Sequence, residues 1–136
     1  MRVSERSDEL RFRLDRRSGV PVYRQLVEQV ERAAELGILQ VGDQLPTLSE
    51  VVGQLAINPN TVHRAYQELD RAGVVEARQG VGTFIVRARA VVSPKRRQTL
   101  ERQLERWVNS ARGAGLDEPA MRALFSRAVG RDTESR

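Results

Sequence analysis

The sequence predicts an α+β fold, in which a small domain of three helices and a β-hairpin is followed by a short helical segment. Two patterns predict it. Apolar residues recur at helical spacing in three successive segments before Gly73, and two β-prone runs joined by a glycine loop come directly after it. Beyond a basic stretch, helical spacing returns in the C-terminal part of the chain.

The composition excludes several classes of protein. The 136 residues suffice for one ordinary domain, or for a small domain with an appendage, and 40% of them are hydrophobic. Without cysteine and with His63 as the single histidine, the sequence predicts no disulfide, no metal site, no cofactor and no catalytic residue. The net charge of +5 is compatible with an anionic partner.

Targeting signals are also missing from the sequence. Residues 1–9 are charged and lack the apolar core of a signal peptide, and no apolar run approaches the ~18 residues of a membrane helix. We therefore predict a cytoplasmic protein with no membrane partner.

The first elements are a strand and a helix. Apolar and charged residues alternate over residues 10–15, which predicts a short strand. Pro21 suits the first turn of the helix that follows, and Gly37 suits its C′ position, where a left-handed residue ends a helix.

Capping signals mark the next two helices. Thr47 and Glu50 form a capping box, which predicts that the second helix begins there. Asn58 as N-cap and Pro59 at the first helical position predict the start of the third helix, and Gly73 ends it.

The rest of the chain divides into a hairpin, a linker and two helices. Strands are predicted over 74–78 and 83–86. The predicted divisions are a compact domain over 10–87, a basic linker over 88–97 and a helical segment over 98–130.

The last two helices are amphipathic and have little local core to cover their apolar faces. They must pack on the first domain or on another chain, and we predict a homodimer. The predicted interface residues are Leu100, Leu104, Trp107, Val108, Met121, Leu124 and Phe125.

The order helix, short helix, tight turn, helix and hairpin is that of a winged helix-turn-helix. The first turn of the third helix offers backbone N–H groups and a positive dipole end, which suit phosphate. Asn60 can pair with adenine, and Thr61 and Arg64 can contact base edges or phosphate. By helical phase Asn60 and Thr61 should be exposed, and His63 is a further candidate contact.

The hairpin loop supplies the remaining candidates. Its glycines at 80 and 82 allow the backbone to approach DNA closely, and Arg78 and Thr83 flank it. Some of these residues also have a structural interpretation. Asn58 fits a cap better than a base contact, Tyr66 fits the core, and the basic linker fits a solvated segment better than a DNA clamp.

Four motifs together resemble the GntR family of bacterial transcriptional regulators, and the stretch from residue 57 to 73 is most similar to the YtrA-type subfamily. The motifs are PVYRQL at 21–26, GDQLP at 42–46, NPNTV at 58–62 and GVGTF at 80–84. The resemblance covers residues 10–87 closely, whereas the tail matches in length and helical character only.

The resemblance implies a winged-helix domain, a homodimer, and a repressor of its own operon, which is often linked to transporter genes. It implies operator double-stranded DNA as the partner, bound in the bacterial cytoplasm at the nucleoid. The DNA contacts it implies are Thr47, Ser49, Asn58, Asn60, Thr61, His63, Arg64, Arg78, Gly80, Val81, Gly82 and Thr83.

The sequence departs from the family pattern in three places. Ser49 stands where the family usually has arginine, and Ala56 stands where most members have glycine. The short tail has no room for the large ligand-binding domain of most members, so no small-molecule effector is implied.

Two other functions remain open at this stage. A winged-helix domain can serve as a protein-interaction module, or it can bind DNA without sequence preference as an architectural protein. The basic recognition surface favours a sequence-specific regulator over a protein-interaction module. A sequence-specific regulator would discriminate between duplexes, whereas an architectural protein would bind unrelated duplexes with similar affinity.

Overall fold

A computed structural model describes residues 10–134 of the chain, which divide into two compact units that meet at Pro94 and Lys95. The charged segment 1–9 lies outside the described residues. The first unit contains α1 (Val22–Glu35), α2 (Leu48–Leu55), α3 (Pro59–Arg71), β1 (Val75–Arg78) and β2 (Gly82–Ile85). The second unit consists of α4 (Pro94–Gly113) and α5 (Glu118–Glu134).

The core of the first unit lies between its three helices and the hairpin. The helix α3 packs on α1, α2 and β1, because its apolar stripe recurs every three or four residues. The largest fully buried side chains of the described residues are Leu26, Val30, Leu39, Leu45, Val51, Val62, Leu69 and Ile85. Burying each of these aliphatic side chains contributes ~1.5–3 kcal/mol relative to exposure.

Glycines end α1 and α3 in the same way. Gly37 has φ +72°, and the N–H of the next residue, Ile38, donates to the carbonyl of Ala33 over 2.9 Å. Gly73 has φ +78°, and Val74 donates to Leu69 over 2.9 Å. These are Schellman motifs, and they confirm the predicted helix ends.

The predicted strand over 10–15 is wrong. The segment is extended and buries Leu10 and Phe12, but it forms no strand ladder. Two glutamines of α1 take the place of a partner strand. Gln29 accepts from the N–H of Arg13 over 2.9 Å and donates to its carbonyl over 2.7 Å, and Gln25 does the same to Asp15 over 2.9 and 3.0 Å.

The spacing of the two glutamines explains this pairing. Residues two apart on an extended chain are separated by ~6.6 Å, and residues four apart on a helix rise by ~6 Å. Side-chain amides at i and i+4 of a helix therefore match alternate peptide groups of an extended segment.

The hairpin has a third, short partner. β1 and β2 are antiparallel, with Ala77 opposite Thr83, and Gln44 forms an isolated bridge with Phe84. The Leu45 N–H donates to the Thr83 carbonyl over 2.8 Å. The segment that leads into α2 is thereby attached to the hairpin.

The second unit begins earlier than the sequence predicts. α4 starts at Pro94, inside the predicted linker 88–97, because proline is tolerated in the first turn of a helix. Gly113 is its last residue, and Asp117 caps α5 by accepting from the N–H of Ala120 over 3.0 Å. No helix within residues 10–134 is long and apolar enough to cross a membrane.

The turn between α2 and α3 has a backbone conformation that favours glycine. Ala56 has φ +52° and ψ +49°, and it is the C-cap of α2. Ala56→Gly should raise the free energy of unfolding by about 1 kcal/mol, because the left-handed conformation crowds a Cβ atom. Urea denaturation monitored by circular dichroism measures the change.

Ala72→Gly is the matched control for this substitution. Ala72 caps α3 with φ −76°, which alanine adopts without strain, so glycine there should lower stability by ~0.4–1 kcal/mol. Equal losses at the two positions would contradict a strained Ala56.

Candidate nucleic-acid interface

The N-terminus of α3 is built by its cap. The Asn58 side chain accepts from the backbone N–H of Asn60 over 2.8 Å, and Pro59 occupies the first helical position. Because its Oδ1 is used in this way, Asn58 serves the helix as a cap. The Asn60 and His63 side chains are exposed, whereas Thr61 is half-buried, and the expected exposure of Thr61 is wrong.

Arg64 does not extend freely from α3. Its guanidinium lies over the ring of Tyr23 in α1, with 3.8 Å between Cζ and the ring centroid. Such a stack holds the planar group through its face and leaves its N–H donors pointing outward from the edge. Next to Tyr23, Arg24 lies 3.8 Å from Glu68, so this second arginine is partly balanced by a carboxylate.

The hairpin loop is held in a defined shape. The Val81 N–H donates to the Arg78 carbonyl over 3.0 Å, and Gly80 in the turn has φ +73°. Val81 is 63% exposed at the tip. The guanidinium of Arg78 lies 4.6 Å from the ring centroid of Phe84, which orders this arginine as Tyr23 orders Arg64.

Gln44 supports the loop from the side. Its amide donates to the Val81 carbonyl over 3.1 Å. A Cβ atom at Gly82 would collide with the Gln44 side chain, and Gly82 has φ +145°. Glycine at this position thus permits both the positive φ angle of the backbone and the close approach of the Gln44 side chain. Thr83 follows in β2 and is half-buried.

The start of α2 carries the other two candidate residues. The capping box is present, with the Thr47 hydroxyl accepting from the Glu50 N–H over 3.1 Å and the Glu50 carboxylate accepting from the Thr47 N–H over 3.3 Å. Thr47 therefore acts as a cap, and Ser49 is exposed in the first turn.

The segment 43–46 joins the three candidate regions. It pairs with the hairpin at Phe84, and it leads directly into α2. The buried Tyr66 of α3 donates its hydroxyl proton to the Pro46 carbonyl over 2.6 Å. Burial, with a further contribution from the negative charge of Glu50, raises the pKa of Tyr66, so the phenol stays neutral and remains a donor.

Sequence comparison shows the family. The model of the bacterial regulatory proteins of the gntR family matches residues 22–85. The HTH-type transcriptional repressor YtrA of Bacillus subtilis (strain 168) is 34% identical over 107 residues, which cover 78% of this chain and 82% of that protein. The chain belongs to the GntR family. It is a DNA-binding transcription regulator with a winged helix-turn-helix, and the resemblance inferred from the motifs is confirmed.

Solved structures agree with the GntR fold. YtrA from Sulfolobus acidocaldarius, a GntR-family transcription factor, has a TM-score of 0.52 and 26% identity over 72% of this chain and 97% of that one. A transcriptional antiterminator from Listeria monocytogenes EGD-e has a TM-score of 0.56 and 28% identity over 88% and 90% of the two chains. The family and these relatives are regulators, so the chain is not an enzyme.

Sequence reasoning missed the residues that support the arginines and the hairpin loop. The ring of Tyr23 lies under Arg64, and the ring of Phe84 lies under Arg78. The Gln44 amide binds the hairpin loop. The ring of Tyr23 was detectable as an aromatic side chain at the half-exposed edge of an amphipathic helix. The other two contacts depend on a strand pairing that local patterns do not specify.

Proposed function

We propose that this GntR-family regulator is a dimeric repressor that binds operator double-stranded DNA at an inverted repeat in the bacterial cytoplasm. α3 enters the major groove with Asn60, Thr61, His63 and Arg64, and the hairpin loop contacts the DNA beside it with Arg78 and residues 80–83. Ser49 in the first turn of α2 adds a contact to the phosphate backbone.

The main structural support for this proposal is the placement of two arginines. Two exposed arginines, Arg64 on α3 and Arg78 on the hairpin, each have the guanidinium over an aromatic ring of the first unit. Both elements are tied to the segment 43–46 by hydrogen bonds. Preorganised guanidinium groups are suited to bases and phosphates, because ordering them beforehand lowers the entropy cost of binding.

The dimer is supported by the second unit. Four apolar side chains of α4 and α5 are exposed: Leu100, Leu104 (51%), Leu124 and Phe125 (54%). Met121 is buried. Trp107 and Val108 are half-buried. Apolar side chains exposed together on two helices favour association with a second copy. The repressor role is supported by the name of the Bacillus subtilis relative.

Selection of bound sequences from a pool of random duplexes tests the proposal. We expect an inverted repeat whose half-site centres lie ~34 Å apart or a multiple of it. With ~4 phosphates neutralised by each protomer, the logarithm of affinity should fall with the logarithm of salt concentration with a slope of about −7.

Three other results would contradict this assignment in different ways. Equal affinity for unrelated duplexes would indicate an architectural protein, and no duplex binding at physiological salt would indicate a protein-interaction module. A slope of about −1 would contradict groove docking by both protomers.

A further inference from the structure

The segment that leads into α1 forms a loop over residues 15–20, which we call the α1 loop. A buried side chain, Gln25 of α1, holds this loop together. The Gln25 amide donates to the carbonyls of Asp15 and Val20, over 3.0 Å in each case, and its oxygen accepts from the Asp15 N–H over 2.9 Å. Both ends of the loop are therefore fixed to the first turn of α1.

The α1 loop lies beside the start of α3. The Arg16 guanidinium donates over 3.3 Å to the carbonyl of Leu55, the last residue of α2. Leu55 comes three residues before Asn58, the cap of α3. At the other end of the loop, Tyr23 in the first turn of α1 has Arg64 of α3 over its ring. The loop is thus joined to the surroundings of α3 from both of its ends.

The hairpin lies on the opposite side of α3. Arg64 contacts α1, whereas Tyr66, two residues further along the helix, donates to the carbonyl of Pro46. Pro46 belongs to the segment 43–46, which pairs with the hairpin. Because residues two apart on an α-helix point about 200° apart, the α1 loop and the hairpin flank α3 from opposite sides. A helix that lies in the major groove has a phosphate backbone along each side, so each flanking element is placed near one of them.

The α1 loop presents an arginine that no carboxylate balances. Of the described residues, Arg24 and Arg32 of α1 are paired with carboxylates, whereas Arg17 is exposed and pairs with none. The acidic side chain of the loop, Asp15, is used within it, because its Oδ1 accepts from the Arg17 N–H over 3.0 Å. The backbone of Arg17 is thereby fixed, and its guanidinium remains available for an anion.

We propose that the α1 loop contacts the phosphate backbone of the operator through Arg17, on the side of α3 opposite the hairpin. This inference rests on the proposed entry of α3 into the major groove, and it adds a contact outside residues 22–85, which the family model matches. A phosphate contact of this kind fixes the position of the domain on the duplex and reads no base. The DNA is then held on both sides of the groove, by the α1 loop and by the hairpin.

Arg17→Ala in the full-length protein tests the contact on the selected inverted-repeat duplex. It removes one phosphate contact from each protomer, so it should weaken binding about ten-fold and make the slope of log affinity against log salt less steep by about 2. The loss should be similar for every duplex, and the selected sequence should not change. Arg17→Lys keeps the charge and should keep the slope, because the release of counterions depends on charge.

Arg71→Ala is the matched control for this substitution. It removes the same charge from an exposed position in the last turn of α3, about 18 Å along the helix from its first residue. This variant should bind the duplex within about two-fold of the wild-type affinity and with an unchanged slope. Urea denaturation of each variant verifies that its fold is intact.

Neutral phosphates in the duplex locate the contact. Each duplex of a series carries a single methylphosphonate, in which a methyl group replaces one charged phosphate oxygen. The wild-type protein should lose affinity at every contacted position. Arg17→Ala should become insensitive to the methylphosphonate at the position that the α1 loop contacts in each half-site. It should keep its sensitivity at the positions that α3 and the hairpin contact.

The outcomes separate this inference from the function on which it rests. A wild-type protein that binds no duplex overturns both. If the wild-type protein binds the inverted repeat and Arg17→Ala matches it in slope and in methylphosphonate pattern, the contact of the α1 loop is overturned and the regulator remains. Equal losses for Arg17→Ala and Arg71→Ala also overturn the contact, since net charge alone would then account for them.

Discussion

Asn60→Ala is expected to weaken operator binding by about 1–3 kcal/mol in each half-site and to relax the preference at one base pair of each. The Asn60 side chain is exposed in the first turn of α3, where its carbonyl can accept from adenine N6 and its amide can donate to N7. Because the dimer presents two copies, the loss is expected at symmetric positions. Selection of bound duplexes with the variant reports both affinity and the position that is relaxed.

Two control variants separate base reading from the other roles of this region. Asn58→Ala removes the cap that binds the Asn60 N–H, so it should lower the free energy of unfolding by about 1 kcal/mol and leave the preferred sequence unchanged. Arg78→Ala should weaken all sequences nearly equally, because phosphate contacts carry no sequence information.

Asn60→Ala and Arg78→Ala should therefore differ in which base pairs lose preference as well as in how much affinity is lost. If Asn60→Ala leaves the selected sequence unchanged while Arg78→Ala removes one preferred position, the hairpin is the base-reading element and α3 positions the domain. Equal effects of both variants on every duplex would mean that neither residue reads a base.

Much of the first unit follows from short-range chemistry that a sequence displays. The capping box at Thr47, the Asn58 cap and the left-handed Gly37 and Gly73 are local features, and all of them occur where predicted. The start of α3, and with it the exposure of Asn60 and His63, could be derived in the same way. Local signals thus placed the central part of the candidate site.

The errors in the first unit arise from partners that are distant along the chain. Alternation over residues 10–15 predicted a strand, but alternation shows only that one side is buried, and the partner proved to be the glutamines of α1. Likewise, the ring under Arg64 comes from α1 and the support of the hairpin loop comes from Gln44. Such contacts depend on packing, which periodicity does not contain.

Removing the second unit is expected to produce the largest loss of operator binding. A chain that ends at Ser93 should fold as a monomer and lose about 10²–10⁴-fold in affinity for an inverted repeat, because the second half-site contact is no longer intramolecular. The position of the cut matters. Ending at Val86 would also remove Arg87, which donates to the Ala72 carbonyl over 2.8 Å, and Val91, which donates to Glu35 over 2.8 Å.

A single half-site duplex is the internal control for this truncation. It should bind the shortened and the full-length chains with similar affinity, since one winged helix makes all the contacts in each case. The chain ending at Val86 should be less stable than the chain ending at Ser93 in urea denaturation, because the carbonyls of Ala72 and Glu35 lose their donors. If the chain ending at Ser93 still sediments as a dimer, the interface lies within the first unit, and the exposed apolar side chains of α4 and α5 serve another partner.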